Sequence, residues 1–77
     1  MSKLITMLRK TAEADRAKAV LSLDLLDNKA VGIGDHSTED FYKNAEEALL
    51  LLAESQDRLE AIDIYLNEAS NNKELLT

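Results

Sequence analysis

Residues Phe41–Ala69 read FYKNAEEALLLLAESQDRLEAIDIYLNEA, and their spacing decides the fold. Phe41, Ala45, Ala48, Leu52, Ser55, Leu59, Ile62, Leu66 and Ala69 follow one another in steps that alternate four and three without a break. Steps of four and three keep a side chain on one stripe of an α-helix, and a stripe sustained this long is a seam for another helix. The stretch therefore predicts one long helix that needs a helical partner along its length.

The partner is predicted upstream, in a helix over about residues 2–28. Ser2 suits the N-cap, where its hydroxyl accepts from a free first-turn amide. At 100° per residue one face collects Leu4, Ile5, Leu8, Ala12, Ala19, Leu23 and Leu26. Its middle is built of small residues, and Asp15 falls within it. That carboxylate is expected either to be satisfied by Arg16, Lys18 or a residue of a second subunit, or to set helix register as a polar core residue can. Met7, Ala14, Leu21 and Leu25 form a second apolar strip beside the first.

The chain has no proline and only two glycines, Gly32 and Gly34, near its middle. A single breaker cluster divides it into two long helices and one turn. The turn is expected over about residues 29–37 and the second helix over about 38–70, with a loose tail at 71–77. Lys29 offsets the dipole at the end of the first helix, and Glu39 and Asp40 do so at the start of the second. Val31 and Ile33 are too apolar for a merely solvated loop, so at least one is expected to plug the open end of the pair. Glu54 and Arg58 are spaced for an ion pair along the second helix.

Folding the chain at Ile33 tests the hairpin. Contacting positions of an antiparallel pair then have numbers that add to about 67. Leu26 meets Phe41, Leu23 meets Ala45, Ala19 meets Ala48, Ala12 meets Ser55, Leu8 meets Leu59 and Ile5 meets Ile62. Large residues meet large ones at both ends and small meet small between. Each seam is read from its own periodicity, so the match supports an antiparallel two-helix hairpin in a single all-α domain over residues 1–77.

One hairpin does not use all the leucines. Leu49, Leu50, Leu51 and Leu52 point all round a helix, and one partner covers only part of that circumference. Met7, Leu21, Leu25, Ile64 and Tyr65 also lie off the main seam. A chain of 77 residues without cysteine has neither a disulfide nor a thiolate metal site to support a small core. The expected remedy is a homodimer that packs two hairpins into a four-helix bundle. Met7, Leu21, Leu25, Leu49, Leu50, Leu51, Ile64 and Tyr65 are the residues assigned to self-association or to a partner interface.

The net charge of −6 is unevenly placed. Residues 1–30 carry more Lys and Arg than Asp and Glu, whereas residues 31–77 are strongly acidic. Phosphate neutralisation supplies most nucleic-acid affinity, so no nucleic-acid partner is expected. No apolar run approaches the ~20 residues of a membrane span, and the first residues lack a signal peptide's pattern, so a soluble cytoplasmic protein is expected.

Chemistry is hard to place on this chain. The single histidine, His36, lacks the three or four ligands of a zinc site and the Glu-x-x-His pattern of a di-iron bundle. Asp35, His36 and Ser37 are adjacent and do not make a triad. Gly32-Ile33-Gly34 lacks the third glycine and the Lys-Ser/Thr ending of a phosphate loop. No catalytic, metal or cofactor-binding residue is assigned, no cofactor is expected, and the chain reads as a non-enzyme.

The turn Val31-Gly32-Ile33-Gly34-Asp35-His36 resembles a segment of small uncharacterised proteins from large contractile-tailed phages, including phages of marine cyanobacteria. There a Pro-Val-Gly-Ile-Gly-(Glu/Asp)-His segment separates two helical halves. Residues 53–60, AESQDRLE, and residues 15–23, DRAKAVLSL, are similar to segments of those halves. Ala30 stands where the family often has proline. The resemblance implies a phage origin and a host-cytoplasmic setting, and no activity. The resulting expectation is a protein-interaction module, a phage accessory protein acting on an unknown host or virion protein. Its working surface is the acidic face or the turn. The alternative is a structural assembly component that docks through its apolar strip into a larger particle.

Overall fold

A computed structural model describes residues 2–29 and 38–66 of the chain. Helix α1 runs Lys3–Lys29, and α2 runs Thr38–Ala61 and continues as a π-helical turn, Ile62–Leu66. The described residues form no strand. The expectations for residues 30–37 and 67–77, including Val31, Gly32, Ile33, Gly34, Asp35, His36 and the tail, lie outside the described residues.

The ends of the helices follow from local chemistry. The Ser2 hydroxyl accepts from the Ile5 amide at 3.0 Å, and the Ser2 carbonyl accepts from the Thr6 amide at 3.0 Å. Ser2 thus closes the first turn of α1 as an N-cap does. Lys29 stands in the last turn of α1, and Glu39 and Asp40 in the first turn of α2, each opposing the local dipole.

The two helices pack antiparallel, and the predicted seams meet. Buried apolar side chains are Ala12, Ala19, Ala48, Leu59 and Ile62, and the buried polar one is Ser55. All six belong to the two seams. Ala12, Ala19 and Ser55 are completely covered. That follows from small residues facing small ones, which bring the backbones close. Ser55 brings a hydroxyl into this layer and satisfies it locally, donating to the Leu52 carbonyl at 3.1 Å. Nearer the turn, Leu23 and Leu26 of α1 share a groove with Phe41 and Ala45 of α2, as the fold at Ile33 requires.

The seam ends at Ile62. Leu66, which the seven-residue pattern assigns to it, is 42% exposed. In the seam register, position 66 lies past the Lys3 end of α1. The π-helical turn also changes the rotation per residue after Ile62.

Candidate functional site

The described residues contain no group of three or more His, Cys, Asp or Glu side chains placed to hold a metal. No helix among them is long and apolar enough to cross a membrane. The grooves beside the helix pair are open and mainly apolar. One lies between Leu25, Leu26, Ala48 and Leu51, with Ser22, Lys29, Asn44 and Glu47 at its rim. It carries no constellation of a nucleophile and a base.

The molecule instead shows two flat sides, each crossed by polar straps between the helices. On one side Arg9 Nη1 pairs with Asp63 Oδ1 at 2.8 Å, and Arg16 Nη1 donates to Gln56 Oε1 at 3.1 Å. Gln56 in turn donates to Glu60 at 3.4 Å. On the other side Arg58 Nη2 pairs with Asp15 Oδ2 at 2.9 Å. This corrects two expectations. Asp15 is paired with Arg58 across the hairpin, not with Arg16 or Lys18 of its own chain. Arg58 accordingly reaches over the seam to Asp15 rather than along α2 to Glu54.

The straps share one geometry. In the seam register Arg9 stands opposite Arg58, Asp15 opposite Leu52 and Arg16 opposite Leu51. Each finds its partner five or six residues further along α2. Helical side chains lean toward the N-terminus of their own helix, so two antiparallel ones lean past each other by that amount. The long polar pairs therefore agree with the register set by the small residues.

The eight side chains assigned to an interface are placed in separate patches. Met7 and Leu21 are 51% and 59% exposed and share the outer side of α1, away from α2, and Leu25, 52% exposed, lies between that side and the groove with Leu26 and Leu51. Leu49 lies two turns before Gln56, on the side that carries Arg9 and Asp63. Exposed Val20, one turn beyond Arg16, is on that same side. Leu51 is half-buried in the groove on the opposite side, which carries Asp15 and Arg58. Leu50 points outward from α2 among Glu46, Glu54 and Asp57. Ile64 and Tyr65 are exposed on the π-helical turn at the far end.

Exposed Leu4, Leu8, Val20, Tyr42 and Leu66 are not among the assigned residues. For Leu4, Leu8 and Leu66 the signal is misleading, because all three fit the seam periodicity. Val20 sits between Ala19 and Leu21, and only the orientation of the core face separates it from them. No protein-family model, curated protein or solved structure matches this chain.

Proposed function

We propose that the chain is a non-enzymatic protein-interaction module that self-associates through apolar side chains left outside the hairpin core. One observation carries this reading. Only two large apolar side chains among the described residues are buried, Leu59 and Ile62, whereas Met7, Leu21, Leu25, Leu49 and Leu50 are each more than half exposed. Burying one such side chain is worth about 1.5–3 kcal/mol, and a small domain has little stability to forgo. A second hairpin, completing a four-helix bundle, recovers that burial.

The resemblance in the turn supports a phage accessory role in a host cytoplasm, with a host or virion protein as the partner. The acidic outer side of α2 is then free for that partner. The second reading, an assembly component of a larger particle, draws on the separation of the apolar patches. Patches on different sides allow contacts that do not close.

Light scattering over a wide concentration range tests the proposal. The expected result is a mass of about twice the 8.6 kDa of the chain, stable on dilution. Open-ended growth favours the assembly reading. A folded monomer, unchanged when Leu21→Glu and Leu50→Glu are introduced together and capturing no partner with or without them, overturns the interaction reading.

A further inference from the structure

We propose that the outer strip of α1 is where a second copy of this chain docks, antiparallel, with Ala14 on the two-fold axis. This rests on the self-association reading and names its surface, with each α2 outermost in place of the closed four-helix bundle. The strip is Met7, Ala14 and Leu21, on a helix face turned away from α2, with Leu25 between that face and the groove. Met7 and Leu21 lie seven residues to either side of Ala14. A two-fold axis at Ala14 therefore places Met7 of each copy opposite Leu21 of the other. Small Ala14 and Ala17, both exposed, let the two helices approach closely at the centre. Glu13, Arg16, Ala17, Val20, Leu21 and Asp24 border a shallow hollow beside this strip, on the side of the Arg16 strap.

Charge selects both the helix and the direction. A two-fold contact through the outer side of α2 sets Glu46, Glu54 and Asp57, around Leu50, against the same acids of the other copy. The strip on α1 has Lys10 on one edge and Lys18 on the other. With Ala14 on the axis, the residue directly opposite Lys10 is Lys18 of the second copy. Inside the hairpin, however, leaning side chains find partners five or six residues past the one directly opposite. The same lean brings Lys10 to Asp24 of the second copy, on its own edge of the strip. It brings Lys18 to Asp15 of the second copy on the other edge, where Arg58 already pairs with that carboxylate. Lys10 is exposed and lies 3.6 Å from Glu13, a contact loose enough to be exchanged. The two-fold repeats both pairs, so four complementary contacts flank the apolar strip.

Cysteine cross-linking tests the axis directly, because the chain has no cysteine of its own. A disulfide needs Cα atoms within about 7 Å, which residue 14 meets only if it lies on or near the axis. Ala14→Cys is expected to oxidise to a covalent dimer at least tenfold faster than Leu50→Cys. Equal rates, or faster linking at position 50, overturn the proposal. A charge exchange adds a readout that folding alone does not move. Asp24→Lys is expected to weaken the dimer by roughly tenfold, and adding Lys10→Glu to restore it. No restoration counts against the antiparallel pairing. The wild-type mass separates the two levels of inference. A dimer in which the Ala14→Cys variant stays unlinked overturns only this surface, whereas a monomer overturns this proposal and leaves capture of a foreign partner to decide the broader reading.

Discussion

The hairpin has a closed half and an open half. From Ile5 to Ala19 on α1, and from Ala48 to Ile62 on α2, the seam holds every buried side chain of the described residues. The polar straps from Arg9, Asp15 and Arg16 cross the same region. Nearer the turn, Leu23, Leu26, Phe41 and Ala45 belong to the same seam and include no buried side chain; they are half-buried, like Ile5 and Leu52 of the closed half, where Leu8 is 39% exposed. Apolar grooves run beside them, and the three straps all lie beyond these grooves. The difference comes from residue size and reach. Alanine and serine let the backbones approach and seal the seam. Around Phe41 and Leu26 grooves remain beside the seam, and Ser22, Asn44 and Glu47 line one of them without closing it. A continuous heptad seam thus yields uneven packing, because periodicity fixes which residues face inward and size fixes how well they are covered.

The largest expected effect breaks the closed half. Leu59→Ala removes one of the two large buried side chains and is expected to cost about 2–4 kcal/mol in denaturant unfolding at fixed protein concentration. Leu26→Ala, in the open half, is expected to cost about half as much or less, since its groove is already open to water. Equal losses contradict the division.

Overpacking gives the reverse experiment. Ala48→Leu is expected to destabilise by roughly 1–3 kcal/mol, because the small layer has no room for a longer side chain. Ala45→Leu, beside the groove with Phe41, is expected to be neutral or slightly stabilising. A harmless Ala48→Leu means that the register is wrong.

Much of this is legible in the sequence, for definite reasons. The Ser2 cap and the ends of α1 depend on neighbouring residues. The pairing of Ala12 with Ser55 and of Ala19 with Ala48 follows from two periodic patterns folded at one turn. The partner of Asp15 is not legible, because Arg58 lies six residues past the register position, and side-chain lean is invisible in a seam. The separation of Leu49, Leu50 and Leu51 is half legible. Consecutive helical residues point 100° apart, so the three have to diverge. Only the orientation of the core face shows which flat side each joins. The π-helical turn has no sequence signal we can name.

A smaller effect sharpens the account of the straps. Arg9 is largely buried, and its Nη2 has no hydrogen-bond partner. Removing Asp63 leaves that guanidinium without its counter-charge, so Asp63→Ala is expected to cost about 1–2 kcal/mol. Arg9→Met keeps the packed stem, deletes the desolvated charge and is expected to cost well under about 1 kcal/mol. A double-mutant cycle checks the asymmetry. The smallest effect is expected at Leu50→Gln, within about 0.5 kcal/mol of wild type in the unfolding of the hairpin, as for other surface positions away from packing.

Residue-resolved native-state hydrogen exchange reads both halves at once. Amides of residues 10–19 and 50–59 are predicted to exchange only through global unfolding, with the full unfolding free energy. Amides of residues 23–28 and 42–47 are predicted to open earlier, through a sub-global step that leaves the closed half intact. Uniform protection along both helices, or stronger protection near the turn, would contradict the division of the hairpin into a sealed half and an open one.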